Sequence, residues 1–343
     1  MARQGGGSLR TYLLTRIALV IPMVWILLTF VFVLMRVAPG DPVSAALGGR
    51  LSPEQLAQRR HAAGFDKPMI VQYGEYLRQV FTGHFGTSIS DHRQVIGIVK
   101  TNGAATLELT LSALIVALIV GLIVGMAAGR FRDTWFDVGG RLFGVVVYAA
   151  PVFFTGLIAQ LVFGKYLGWL PTSGQASPTT QAFMSTHTNI LVIDAIIDGD
   201  WSGLVDVLAH LCLPAITLGL LVSGIFIRLV RVNVIQTLRH DYIEAARARG
   251  VREWRVVFRH AFRNALVPVI TIVGLQSALL LSGAVLTEET FDWPGIGSAL
   301  IDYLNNRDYV AVQGIITVFA LAVVVVSLVI DFVNAWVDPR VRY

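Results

Sequence analysis

Charge is what this chain has least of. Only 14% of its 343 residues are Asp, Glu, Lys or Arg, against about 25% in an ordinary soluble domain. Mean hydropathy is +0.67. Together these exclude a soluble globule once the apolar residues are seen to be contiguous. They form six runs, at 12–35, 105–128, 142–166, 207–229, 267–287 and 310–333. Each run reaches the ~20 residues a helix needs to cross a hydrocarbon layer of ~30 Å. None alternates polar and apolar residues as a barrel strand does. All six are therefore expected to be helices, the element that satisfies its own backbone within lipid.

Cysteine is nearly absent. The single Cys212 sits in an apolar run, which excludes a disulfide framework and a thiolate metal cluster and leaves a small core residue. Catalytic constellations are missing too. There is no HExxH, no histidine pair on a helix face and no GxxxxGK[ST], so the chain cannot hydrolyse ATP through a P-loop of its own. Ser282-Gly283 has no histidine in a later run to activate the serine, and reads as small-residue packing. A membrane enzyme is disfavoured on these grounds. The runs also hold few ionisable groups: Glu108, His210 and Asp331, each near a predicted end. They read as interfacial or snorkelling to water, which disfavours a stand-alone ion-coupled carrier with carboxylates at mid-membrane. Pro151 and Pro214 are placed to kink their helices. No internal repeat is visible.

What is present is a pattern of loops. The first run is too long for a cleavable signal segment and reads as a retained helix. An even number of spans puts both termini on one side. Arginines gather at the N-terminus, at Arg130, Arg132 and Arg141, across 228–263, and at Arg340 and Arg342. Residues 168–206 hold no Lys or Arg, and 288–309 hold five acids and only Arg307. The positive-inside rule places the termini, the 130–141 loop and the 228–263 loop in the cytoplasm. The pI near 9.5 then reads as topology and contact with membrane lipid, with no nucleic-acid partner. The expected divisions are 1–37 (terminus and first helix), 38–104 (a long outer loop with a Pro39-Gly40-Asp41-Pro42 turn and a helical stretch over 53–64) and 105–343 (the core). A short apolar run over 190–197 is expected at the interface or on the outer helix ends.

The most patterned polar segment runs from Asp241 to Pro268. Asp241 can cap or charge a short helix, and Gly250 is placed to end it. Tyr242, Ala245 and Ala246 are expected on one face. Further on, Trp254, Val257, Phe258, Ala261 and Phe262 fall at i, i+3, i+4, i+7 and i+8, the apolar side of an amphipathic helix turned to the bundle. Arg252, Arg255, Arg259 and Arg263 take the opposite side, suited to water or anionic headgroups.

Glu244-Ala245-Ala246 followed by Gly250, with Pro268 opening the next apolar run, resembles the coupling-loop signature of ABC importer permeases. The resemblance extends over nearly the whole chain: Pro39-Gly40-Asp41-Pro42, Gly64-Phe65-Asp66-Lys67-Pro68, Gln72-Tyr73, Tyr76-Leu77, Arg263-Asn264-Ala265-Leu266, Trp293-Pro294-Gly295-Ile296-Gly297, Arg307-Asp308-Tyr309, Gln313-Gly314 and Asp338-Pro339-Arg340. In order, these are similar to the first (B-type) permease subunit of dipeptide and oligopeptide importers. His84, Val310 and Asn334 depart from the residues that family often carries. The resemblance implies an all-α membrane protein of six transmembrane helices with the type I ABC importer permease fold. It further implies a long extracytoplasmic loop between helices 1 and 2 and a cytoplasmic coupling helix between helices 4 and 5, within a 231–263 loop. It assigns ATPase coupling to Tyr242, Glu244, Ala245, Ala246, Arg249 and Gly250. The implied partners are a second, homologous permease subunit, two ABC ATPase subunits that hold ATP and Mg, and an external substrate-binding protein that docks on the outer loops. The chain itself would carry no cofactor and no catalytic residue, in a prokaryotic cytoplasmic membrane. The cargo would be di- or oligopeptides, or alternatively a nickel chelate, glutathione or a short sugar.

Overall fold

The structure is a computed structural model that describes residues 9–37, 66–262 and 267–337, with isolated positions between 52 and 61. The 39–42 turn, most of the 53–64 stretch, Arg263–Leu266 and the C-terminal motif lie outside the described residues. Within them the chain is helical, with no strand and a single isolated bridge between Thr87 and Gln94. In order the helices are α1 (Leu9–Val37), α2 (Met69–Phe81), α3 (Val95–Arg130), α4 (Trp135–Ala149), α5 (Val152–Ala159, continuing as a π-turn over Gln160–Tyr166), α6 (Pro178–Phe183), α7 (Leu191–Asp198), α8 (Trp201–Thr237), α9 (Asp241–Ala248), α10 (Glu253–Arg255, continuing as a π-turn over Val256–Ala261), α11 (Val267–Gly283), α12 (Val285–Phe291), α13 (Ile296–Asn305) and α14 (Tyr309–Val337).

Four of these are long and apolar enough to cross a membrane: α3, α8 and, over Thr15–Val37 and Tyr309–Phe332, α1 and α14. Two bent pairs bring the total to six if each counts as one span. The run expected at 142–166 is not one straight helix. It begins at Trp135 and turns by 101° between α4 and α5. The cause is Pro151, which has no N–H to give and biases Ala150 away from helical torsion; Ala150 is extended, with ψ 132°. The run expected at 267–287 bends by 56° between α11 and α12.

The described chain divides into two compact units, one formed by residues up to Ala105 with Pro294–Val329, the other by Thr106–Trp293 with the segment from Ile330. In the first, Met35, Val95, Ile98, Ile296, Tyr303 and Ile315 form the core. A second cluster joins Leu28 and Phe32 of α1 to Tyr76 of α2, and the Tyr76 hydroxyl lies 2.8 Å from Thr317 Oγ1. The helical start of α14 is fixed by Asp308, which is fully buried. One carboxylate oxygen accepts from Ser88 Oγ at 2.8 Å and from the N–H groups of Ile89 and Ser90 at 2.7 and 2.9 Å. The other accepts from Ala311 N at 3.0 Å. Nearby, Tyr303 donates to Asp91 at 2.7 Å, and burial with that acid pushes the phenol up to about 12. Asp308→Ala would strand several buried donors at once. We expect it to cost about 3 kcal/mol, read as a lowered melting temperature of the detergent-solubilised protein. Asp308→Asn should recover part of the loss, since its amide keeps one acceptor oxygen.

The second unit is built on α8. Gly121, Gly125 and Gly129 recur every fourth residue along α3, and a Cβ on them would stand 2.3 Å from Phe226 Cβ, 2.8 Å from Val230 Cβ and 2.9 Å from Val234 Cβ. A Cβ on Gly219 would meet the Ala113 carbonyl at 2.6 Å. Backbones approach closely where small residues recur at this spacing. The numbers rise together on both helices, so α3 and α8 run parallel. On α4, Asp137 meets Arg231 while Gly144 meets Gly224, so α4 runs antiparallel to α8.

Glu108 corrects an expectation. It does not snorkel to water. Because α3 starts at Val95 rather than 105, Glu108 lies ~20 Å along the helix and is buried at 3% exposure. The Val192 N–H, beside the start of α7, donates to one oxygen at 2.8 Å, and Gln175 Nε2 donates to the other. The apolar 190–197 run is the short helix α7, which packs on α8. Glu288, expected in an outer loop, is likewise buried and accepts from Thr106 Oγ1 at 2.6 Å.

Candidate functional site

The segment after α8 folds as an elbow. α8 ends at Thr237, Leu238–His240 turn, and α9 starts with Asp241 and Glu244 in its first turn, where carboxylates favour the positive helix end. The helix closes through Arg249, whose N–H bonds to the Ala245 carbonyl at 3.2 Å. Gly250 follows with φ +74°, and a Cβ there would meet nothing within 4 Å. The glycine is needed for its torsion alone.

Ile243 and Ala246 are buried against Val256, with Leu238 and Val251 beside them. Ala246 therefore does not share an outward face with Tyr242 and Ala245. It stands three residues after Ile243, on the helix side that closes the elbow. Tyr242, Glu244, Ala245 and Arg249 remain exposed. The Tyr242 ring stacks on His240 at 5.7 Å between centroids.

The amphipathic reading of the next segment also changes. Val257 is buried as expected, and so is Val256, while Trp254 and Phe258 are 58% and 55% exposed. Two things rotate the face. The backbone widens into a π-turn from Val256, which breaks the 3.6-residue spacing. Glu253 is also tethered: it accepts from Arg247 Nε at 3.2 Å and from its terminal nitrogen at 2.9 Å, and Arg130 at the end of α3 lies 3.5 Å away. Arg255 covers the Trp254 ring at 5.4 Å. The elbow is thus pinned to α3 by an ion pair and to α8 by the chain.

The Arg247 guanidinium holds the Glu253 carboxyl below its ordinary value. A depressed folded-state pKa adds stability that is present above the unfolded value of about 4.3 and is lost as pH falls through the folded one. All three side chains are more than a third exposed, so solvent limits the pair to a few tenths of a kcal/mol. Glu253→Gln should melt slightly below the parent at pH 7, and the gap should close below about pH 4.

The chain matches two family models: residues 117–343 match the binding-protein-dependent transport system inner membrane component, and residues 9–110 match the N-terminal region of the same system's membrane component. It belongs to that family of transport components. Relatives match it over nearly its whole length. Dipeptide transport system permease protein DppB of Alkalihalophilus pseudofirmus is 36% identical, over 97% of this chain and 99% of the relative. Di/tripeptide transport system permease protein DppB of Pseudomonas aeruginosa is 38% identical over the same shares. Glutathione transport system permease protein GsiC of Salmonella choleraesuis is 33% identical, again over 97% and 99%. Membership makes the chain a membrane-embedded component of a transport system, with several apolar helices for the purpose.

Three features of this transport component escaped sequence reasoning: the glycine row on α3, the Glu253 tether and the buried Glu108. The first had a signal, glycines at 121, 125 and 129. The buried Glu108 depends on partners far away in sequence, and the Glu253 tether on the Gly250 turn that brings Arg247 back to it and on the distant Arg130.

Proposed function

We propose that this chain is the permease subunit of a binding-protein-dependent ABC importer that moves di- and tripeptides, and that α9 is the element through which ATP hydrolysis in partner subunits drives it. The observation that carries the reading is the elbow. A short helix with Tyr242, Glu244, Ala245 and Arg249 exposed is locked from below by Ile243, Ala246 and Val256, and turns back at Gly250. Such a rigid knob can transmit a push without folding away. Full-length similarity to two dipeptide permeases supports the cargo, and the glutathione permease at 33% identity supports the runner-up, since glutathione is itself a peptide-like anion.

The membrane is crossed six times in this reading, with each bent pair counted once. Parallel α3 and α8 support that count, because two parallel spans need one return crossing between them, and α4–α5 is the available one. Both termini and α9 then lie in the cytoplasm, a placement the arginine distribution supports. The second permease subunit, the two ATPases with their ATP and Mg, and the external binding protein complete the assembly. Exposed Trp254 and Phe258 lie beside α9 and extend the face offered to an ATPase or to lipid headgroups.

The test is affinity purification of the tagged chain from mild detergent, followed by reconstitution. A second six-span protein and ATPase subunits should travel with it, and liposomes holding the complex should take up radiolabelled dipeptide when ATP and binding protein are supplied. Purification as a lone, active protein overturns the reading. Uptake of glutathione but not of dipeptide selects the runner-up.

A further inference from the structure

A cavity of about 830 Å³ opens in the second unit between α4, α8 and α11. Its walls are mostly apolar, including Val145, Tyr148, Ile225, Leu229 and Ile272, and three arginines stand in its lining: Arg141, Arg228 and Arg231. One of the three, Arg231, is committed, and Arg141 is held only loosely. Asp137 is fully buried and takes Arg231 through both carboxylate oxygens, at 2.5 and 2.8 Å, with Arg141 at 3.5 Å. Arg228 is exposed to the cavity and, among the described residues, makes no hydrogen bond or ion pair. Counting Asp137 against the three arginines leaves the lining with two positive charges.

Ligand sites are typically cavities of about 300–1,000 Å³ with apolar walls and few convergent polar groups, and this cavity has that make-up. A free guanidinium presents a planar fork that fits a carboxylate. We infer that Arg228 receives the C-terminal carboxylate of a short peptide, with the terminal side chain against Val145, Tyr148, Leu229 and Ile272. This rests on the peptide-import reading and adds a cargo contact to it. A lipid tail needs no concavity, because apolar helix surface is available elsewhere on α3 and α8. One unpaired cation above an apolar wall matches one carboxylate joined to one side chain. The Asp137 bridge has a role here as well. It keeps Arg231 from competing for the anion and holds α4 against α8, so the cavity keeps its width.

The experiment uses the complete transporter in liposomes. The probe is the dipeptide alanyl-p-benzoylphenylalanine, photolysed without binding protein so that no upstream selection intervenes, and the labelled segments are mapped by mass spectrometry. Label should fall on 144–149 or 224–232. Arg228→Gln should lower the yield about tenfold, the scale of one lost charged hydrogen bond, and Arg228→Lys should restore only part of it, since the charge is kept and the planar fork is lost. The C-terminal amide of the probe should label the parent as poorly as the acid labels Arg228→Gln, which tests the contact even where that variant accumulates badly. Equal labelling by acid and amide, label elsewhere on the chain, or displacement of the acid by phosphatidylglycerol but not by a second dipeptide would overturn the assignment. Binding-protein-dependent uptake of dipeptide by the parent is measured on the same liposomes. Its failure refutes the peptide-import reading, whereas uptake with no Arg228 effect refutes this inference alone.

Discussion

Gly121→Leu should leave almost no folded protein in the membrane. A first side-chain atom at position 121 would already stand 2.3 Å from Phe226 Cβ and 3.4 Å from the Phe226 backbone. No rotamer removes that overlap, because the atoms it meets are fixed to α8 itself. Relief would come only from moving α3 off α8 along the whole glycine row. Overpacking a filled core typically costs 1–3 kcal/mol, and here separation would also forfeit the contacts at Gly125 and Gly129. The expected outcome is loss of the monodisperse peak after detergent extraction, at unchanged transcript level. Gly139→Ala is the control. That glycine lies on the neighbouring helix, where an added methyl group would meet nothing within 4 Å, and the variant should behave as the parent. A well-folded Gly121→Leu protein would mean that α3 and α8 are not in backbone contact.

Glu244→Lys should do the opposite, sparing the fold and impairing transport. Glu244 is exposed on α9, so the exchange reverses a charge on the face proposed to meet an ATPase and disturbs no buried neighbour. It also removes a favourable charge from the positive end of the helix, a cost below about 1 kcal/mol. Uptake should fall at least about tenfold, the effect of losing one contact worth ~1.4 kcal/mol, while the partner ATPases continue to hydrolyse ATP. The hydrolysis-to-uptake ratio is therefore the measurement. Ala246→Leu separates the two ways of losing coupling. It crowds Ile243 and Val256 inside the elbow and should lower thermal stability as well as uptake. Normal uptake by Glu244→Lys would remove α9 from the transmission path.

The sequence made the helical class, the apolar runs and the short helix before Gly250 readable, because each rests on local periodicity or on a single residue with special torsion. What stayed hidden depends on partners. The bend at Pro151 was foreseeable as a kink, but a change of direction by 101° follows from where α5 packs: Gln160 donates to the carbonyls of Thr172 and Thr290 at 2.7 and 2.8 Å, far apart in sequence. Glu108 looked interfacial because hydropathy marks where apolar residues begin, whereas α3 begins ten residues earlier at Val95. The apolar face assigned to Trp254 and Phe258 assumed a regular α-helix. One widened turn kept Val257 inside as expected, brought Val256 in beside it and turned Trp254 and Phe258 outward, and no count of spacings contains that information.

The glycine row has a mechanical meaning. Contact between α3 and α8 runs from Gly219 to Val234, about 22 Å at 1.5 Å per residue. Two rods bonded along a face bend far less than two rods lying loose, since bending must then stretch one while compressing the other. Large side chains between them would act as a soft layer and let each slip. With the glycines of α3 set directly on the Cβ atoms of Phe226, Val230 and Val234, that layer is thin, so the pair behaves as a laminated beam. A load taken up at the elbow beyond Thr237 would be carried to the far end of the beam as displacement, with little of it lost on the way as flexure.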